Sequence, residues 1–180
     1  TEGMKGFRPY PAAGTSQTLK GYRPRRFALL VGINKYQDRS WHSLRFAAKD
    51  AGDLGKLLKN PLFGKFDHIT RLTSAVQTTR TSLLRALATL EQHNTDPRDT
   101  VLVYISAHGT LARDEVGELR RYIVTNDTKE KKVSQTALAV DLLRQRFGKL
   151  KSQRKVLLLA TCHSGSGKSF LNKKIRGELK

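Results

Sequence analysis

The stretch "KVLLLATCHSGSGKS", residues 155–169, decides between two folds for this chain. An apolar run enters a turn of small residues that ends in Gly-Lys-Ser, and Cys162, the only cysteine of the chain, lies between the two. The turn is either a loop that cradles phosphates or the end of a strand that presents a nucleophile.

The phosphate-loop interpretation fails on spacing. That motif needs a glycine five positions before the Gly-Lys-Ser/Thr triplet, and Cys162 occupies this place. Only 11 residues follow Ser169, and the other strong apolar run, 101–106, ends without the carboxylate that would hold Mg²⁺. The pattern therefore favours a buried strand that ends on a cysteine.

Further apolar runs extend this pattern along the chain. Strands are predicted over 26–34, 66–73, 99–109 and 154–162, with a shorter one over 120–127. Helical spacing of apolar residues predicts helices over 44–59, 78–93 and 134–147, the last with Ser134 as its N-cap. Because strands alternate with helices, we expect a three-layer α/β sandwich with a mainly parallel sheet.

Length and composition indicate one globular domain with flanking segments. The chain has 180 residues and is 38% hydrophobic, and no apolar run approaches the roughly 20 residues that span a bilayer. A single cysteine excludes an internal disulfide and predicts a reducing, cytoplasmic location. We expect a basic leader over 1–25, one folded unit over 26–165 and a basic tail over 166–180.

The charge is strongly basic. Lys and Arg number 34 against 15 Asp and Glu, a net charge of +19. Such a field attracts polyanions, so a nucleic-acid or other polyanion partner is one hypothesis, and an acidic protein partner is another. No zinc spacing, RNA-binding signature or DNA-reading helix accompanies the charge.

Two residues carry the chemistry of the predicted site. His108 and Cys162 each follow an apolar strand, and the carboxyl ends of parallel strands meet at one edge of a sheet. An imidazole beside a cysteine can take the thiol proton and later protonate a leaving amine. The backbone N–H groups of Gly109 and Cys162 are candidate donors to an oxyanion.

The other histidines are interpreted differently. His163 is adjacent to the cysteine in sequence and therefore points elsewhere, so it ranks below His108. The remaining ones, His42, His68 and His93, lack such a context and are interpreted as polar surface residues.

These motifs together resemble the caspase-like clan of cysteine peptidases, in particular its metacaspase-like and bacterial caspase-homologue branch. The matching segments are "RFALLVGINKY", "LRFAAKDAGDL", "VLVYISAHG", "RRYIVTND" and "LLLATCHSG". His108 precedes Cys162 by 54 positions, near the interval of about 50 in caspases. The resemblance implies a caspase–hemoglobinase fold and endopeptidase activity, with Cys162 as nucleophile, His108 as general base and acid, and Gly109 as an oxyanion donor.

The resemblance also bears on the substrate. Metacaspases usually have an aspartate two positions before the cysteine, where this chain has Ala160, whereas their second acidic pocket residue matches Asp50. This half-complete pocket predicts cleavage after Arg or Lys. Asp50 can equally be a solvated helix carboxylate, and Arg45 keeps the opposite preference, for an acidic substrate residue, open.

Caspase-like domains also need a small subunit. Only 18 residues follow Cys162, so we expect this chain to be a large subunit completed by a small subunit of the same precursor. A basic-specific enzyme could cut its own tail at any of five residues: Lys168, Lys173, Lys174, Arg176 and Lys180.

The chemistry needs no cofactor, and no acidic cluster supports the Ca²⁺ site of some metacaspases. The alternatives are an inactive caspase-like interaction module and a basic polyanion-binding domain.

Overall fold

The computed structural model describes residues 21–94 and 96–162. In this part of the chain the strands are β1 (Arg26–Gly32), β2 (His68–Leu72), β3 (Thr100–Arg113), β4 (Leu119–Ile123), β5 (Leu138–Ala139) and β6 (Arg154–Cys162). The helices are α1 (Ala47–Lys59), α2 (Arg80–His93), α3 (Val133–Thr136) and α4 (Val140–Gly148), with a 3-10 turn at Glu130–Lys132.

The strands form one mixed sheet in which β3 is central. Strands β2, β1, β3 and β6 lie side by side in that order, and all three pairs are parallel. The second half of β3 pairs with β4, and β4 with β5, in antiparallel orientation. The prediction of a mainly parallel sheet is confirmed. Strand β3 runs past its predicted end at Gly109 to Arg113, because β4 offers a partner for these extra residues.

Helices cover both faces of the sheet. Alternate residues of β1 point to opposite faces: Ala28 and Leu30 pack with α1, and Phe27, Leu29 and Val31 pack with α2 and α4. Helix α2 contributes Leu83, Leu87 and Leu90 to this larger core, and α4 contributes Leu143. The predicted three-layer α/β sandwich is therefore confirmed.

The predicted helix over 134–147 is wrong in its first half. Helix α3 ends at Thr136, and Leu138–Ala139 is extended and pairs with Tyr122 and Ile123 of β4. Leu138 is fully buried there, so strand pairing and core packing outweigh helical spacing. Ser134 is not the N-cap, since α3 is preceded by Lys132 and α4 by Ala139.

The junction of β1 and α1 explains why β1 ends before its predicted limit at Asn34. A Cβ on Gly32 would lie 2.2 Å from the carbonyl oxygen of Ala47, so the helix approaches the strand backbone directly. Asn34 Oδ1 then accepts the Ala48 amide at 2.9 Å. This hydrogen bond satisfies one of the free amides of the first helical turn and fixes where α1 starts.

Candidate active site

The backbones of His108 and Cys162 lie side by side. They are Cα partners in the parallel pairing of β3 with β6, and they form the last pair of that ladder. From Gly109 onward β3 pairs with β4 instead. The two predicted residues therefore meet where the parallel part of the sheet stops, as the positions of their apolar runs predicted.

The loop between β1 and α1, residues 33–46, holds the His108 ring. Nε2 of His108 lies 2.7 Å from the carbonyl oxygen of His42. A carbonyl oxygen only accepts hydrogen bonds, so Nε2 carries the proton. In the neutral ring Nδ1 is then the unprotonated nitrogen, and it is the one left to act as a base.

Two aromatic residues of this loop flank the same ring. The ring centroids of Tyr36 and Trp41 lie 5.2 Å and 6.5 Å from that of His108. The Tyr36 hydroxyl accepts the His108 amide at 3.1 Å and donates to the Ile33 carbonyl at 3.2 Å. Burial raises the pKa of Tyr36 to about 12, so the phenol stays neutral and keeps donating its proton.

Distant parts of the chain fix the loop in place. The Asn126 side chain donates to the Lys35 carbonyl at 2.8 Å, and the Asn126 carbonyl accepts the Gln37 amide at the same distance. Asp38 accepts the amide of Glu130 at 2.9 Å, and this hydrogen bond is the main cause of its lowered pKa. The position of the histidine ring therefore depends on the segment after β4.

Gly109 follows the histidine at a point of close approach. A Cβ at this position would lie 3.2 Å from Cβ of Thr161, the residue before Cys162. This is shorter than most real Cβ contacts, so a larger residue here would require the Thr161 side chain to shift by a few tenths of an ångström. Gly109 therefore lets β3 and β6 approach closely beside the His108–Cys162 pair without such a shift.

The proposed specificity residues lie near the start of α1. Arg45 and Asp50 both have exposed side chains, and neither is hydrogen-bonded or ion-paired to His108 in the described residues. Asn34 Nδ2 donates to the Arg45 carbonyl at 3.3 Å, which ties this segment to the carboxyl end of β1. Ala160, two positions before Cys162, is exposed on β6.

Several predicted residues lie outside the described part of the chain. These are His163 and the five candidate cleavage positions Lys168, Lys173, Lys174, Arg176 and Lys180.

In the described residues no group of three or more His, Cys, Asp and Glu side chains is placed to hold a metal ion. None of the helices described here has the length and apolar character needed to cross a membrane.

Sequence reasoning missed three contributors to the site: Tyr36, Trp41 and the main chain of His42. Tyr36 belongs to the segment "RFALLVGINKY", which carries part of the family resemblance but lies beyond the strand predicted over 26–34. The role of His42 leaves no sequence signal, because its backbone oxygen makes the contact and every residue has one.

His108 and Cys162 are thus paired where the parallel part of an α/β sheet stops. The profile of the caspase domain, peptidase family C14, matches residues 25–178, and the chain belongs to this family. This membership suggests a peptidase-like function. No protein with a curated description matches the chain.

A solved structure supports the fold. The crystal structure of protein GSU0716 from Geobacter sulfurreducens superposes with a TM-score of 0.60 and 21% identity. The match covers 79% of this chain and 52% of the other, so the chain spans about half the length of that protein. At this identity the similarity shows the fold alone.

Proposed function

We propose that this chain is the large-subunit portion of a cysteine endopeptidase in which Cys162 is the nucleophile and His108 the general base and acid. The observation that carries the proposal is the Cα pairing of these residues at the end of the β3–β6 ladder. Neighbouring strands lie about 4.8 Å apart, and in this proposal the two paired residues act together on the substrate.

The tautomer of His108 fits the base role. With Nε2–H donated to the His42 carbonyl, Nδ1 accepts the thiol proton and the thiolate attacks the scissile carbonyl carbon. The imidazolium then gives this proton to the leaving amine, and a thioester remains on Cys162. Water, deprotonated by Nδ1, hydrolyses the thioester and restores the thiol. In this scheme the amides of Gly109 and Cys162 donate to the oxyanion.

Replacing either member of the dyad tests the proposal. In the full-length precursor we expect Cys162→Ala and His108→Ala each to lower peptide cleavage about a thousandfold or more. The double variant should lose little more, because the two residues act as one unit. Cleavage of a peptide library and far-ultraviolet circular dichroism measure activity and fold.

His42→Ala is the matched histidine control. The His42 side chain is exposed and only its main-chain oxygen contacts His108, so this variant should keep most of the activity. Substantial cleavage by Cys162→Ala would contradict the proposal. A precursor that cuts no peptide at all would favour a catalytically inactive interaction module.

We propose further that the enzyme cuts after Arg or Lys, with Asp50 pairing with the substrate cation. The exposure of Asp50 beside the carboxyl end of β1 supports this role. The tail contains no aspartate but has Lys168, Lys173, Lys174, Arg176 and Lys180, so self-processing at a basic residue is part of the proposal.

Cleavage of a diverse peptide library by the precursor and by its Asp50→Ala variant checks the specificity. We expect a basic residue before the scissile bond and about a tenfold or larger loss of kcat/KM in the variant. Asp53→Ala is the control, since Asp53 lies on the same helix and pairs with Lys49 and Lys56. A preference for aspartate would overturn the prediction and direct attention to Arg45.

A further inference from the structure

A cavity of about 400 Å³ lies between α2 and strands β1 and β2. It is on the β2 side of the sheet, whereas the His108–Cys162 pair lies on the β6 side of β3. Its volume is within the range of small-molecule sites, about 300 to 1,000 Å³. It is called the α2–β2 cavity below, and no step of the proposed peptidase mechanism uses it.

Residues of α2 and of the two neighbouring strands β1 and β2 form the walls of the cavity. Leu83 and Leu87 of α2 pack on the core that contains Phe27 and Leu29 of β1. The neighbouring row of β2, on the same face, is His68, Thr70 and Leu72. These β2 residues form one wall of the cavity and α2 forms the other.

The inner part of the cavity is apolar and its mouth is basic. Phe27, Leu29, Leu72 and Leu90 line it and are each at most 9% exposed. Three exposed residues at the mouth have basic side chains: His68, Arg85 and His93. Among the described residues that line it there is no carboxylate, so the mouth favours an anion.

The Arg85 guanidinium at the mouth is available to a ligand. Arg85 forms no ion pair with any described residue, and His93 lies two helical turns further along α2 on the same face. His93 Nδ1 donates to the Thr89 carbonyl at 2.7 Å, so in the neutral ring Nε2 is an acceptor and Arg85 is the group that pairs with an anion. The His68 ring stacks on Phe27 with centroids 4.9 Å apart, which adds an aromatic surface.

The nearby carboxylates are already engaged. Asp67 accepts hydrogen bonds from Arg23 and from the Arg26 amide, and Glu91 pairs with Arg146. Neither lines the cavity, so neither neutralises Arg85 from within it. The charge of the basic leader over 1–25 does not complement this mouth. The leader has one acidic residue, Glu2, and five basic ones: Lys5, Arg8, Lys20, Arg23 and Arg25.

From this arrangement we infer that the α2–β2 cavity binds a small anionic amphiphile, an aromatic or aliphatic carboxylate. The apolar body lies against Phe27, Leu72 and Leu90, and the carboxylate pairs with the Arg85 guanidinium at the mouth. This site is independent of the proposed peptidase activity.

Three probes with one apolar body and different charges test the inference. The full chain is titrated with 4-phenylbutyrate, 4-phenylbutanol and 4-phenylbutylamine, and ¹H–¹⁵N NMR spectra follow the amides. We expect the acid to bind most tightly and the amine most weakly, with the largest shifts at Thr70, Leu72, Ala86 and Thr89.

Two variants separate the contribution of the Arg85 charge to binding from that of the cavity volume. Arg85→Gln should weaken binding of the acid about tenfold and leave the alcohol unchanged, as for one lost charge-assisted hydrogen bond. Ala86→Phe, which fills the cavity, should remove binding of all three probes. Arg144→Gln, an exposed position on α4, makes the same change of charge elsewhere and should have no effect.

Three results would overturn the inference. One is equal affinity for the acid and the amine. Another is an equal loss in Arg85→Gln and Arg144→Gln, which would assign binding to the net charge of the chain. The third is the absence of shifts in the α2–β2 cavity at any probe concentration. Because Arg85 is exposed, its replacement leaves the core intact and the test does not depend on refolding.

Discussion

At the residue scale, His108 is fixed by three groups of a single loop, each acting on a different part of it. The His42 carbonyl accepts from Nε2, the Tyr36 hydroxyl accepts from the amide, and Trp41 packs beside the ring. A catalytic histidine needs both a defined tautomer and a defined orientation. The loop supplies the first through a hydrogen bond and the second through aromatic packing.

Tyr36→Phe removes one of these groups and gives a pH-dependent prediction. Near neutral pH we expect a loss of about 1 to 2 kcal/mol in the free energy of unfolding, because the His108 amide and the Ile33 carbonyl lose a partner. The folded-state pKa of Tyr36 is about 12 against an ordinary 10.0. Its contribution to stability is therefore complete below pH 10 and is lost as the pH rises toward 12.

Denaturant unfolding of both proteins from about pH 8 to about pH 12 measures this difference. The advantage of the Tyr36 protein should shrink steadily above about pH 10. The other tyrosines are present in both proteins, so their contributions cancel in the difference between the two free energies of unfolding. A difference that stays constant over this range would show that Tyr36 is not the buried phenol described here.

At the element scale, β1 and α1 are joined through a backbone contact. A helix packed directly on the end of a strand needs a residue without a side chain at the contact, and Gly32 is that residue. The contact sets where α1 begins and hence where the loop of residues 33–46 returns toward His108.

Two glycine substitutions test this junction against each other. Gly32→Ala should destabilise the fold by about 3 kcal/mol or more, because its Cβ would overlap the Ala47 carbonyl. Gly52→Ala, in the interior of α1, has no atom within 4 Å of the new Cβ and should stabilise by about 0.5 to 1 kcal/mol. Thermal unfolding measures the change in stability of each variant. A similar change in both would contradict the close contact at Gly32.

At the scale of the whole molecule, β6 is a partly uncovered strand. In the described residues it pairs with β3 on one side only. Val156 and Leu158, on the face that α1 covers elsewhere, remain 51% and 46% exposed. Open edges and apolar strips of this kind invite pairing with another chain segment. This exposure supports the proposal that a small subunit completes the sheet.

Substitutions on this strip test the completion of the sheet. Val156→Thr with Leu158→Thr should leave the fold of the chain intact but lower activity and self-processing of the full-length precursor about tenfold or more, because the small subunit loses apolar contact area. Val116→Thr is the control, since Val116 is 80% exposed in the turn between β3 and β4. The chain of residues 1–180 alone should be inactive, and robust cleavage by it would contradict the need for a second subunit.

The sequence predicted what depends on the hydrophobic period, whereas the order of the strands in the sheet comes from the structure. The runs around Leu30, Val103 and Leu158 predicted the strands, and the ends of two of them predicted that His108 and Cys162 would meet. It did not predict the extended pair Leu138–Ala139, because there a partner strand outweighs local preference. The hydrogen bond between His108 and the His42 carbonyl could not be predicted for a different reason. Every residue has a main-chain oxygen, so the sequence does not mark the one that makes this contact.

The sequence separation of the contacts that hold His108 has a consequence for the chain during its synthesis. The hydrogen bonds from His108 to His42 and to Tyr36 span 66 and 72 positions, and that from Asn126 to Lys35 spans 91. A ribosome adding about 5 to 20 residues each second exposes the loop for several seconds before its partners emerge. Cys162 emerges after all of these residues. A nascent chain therefore cannot assemble the proposed dyad until strands β1 to β6 have been translated, which would delay the proposed proteolysis until this part of the sheet can form.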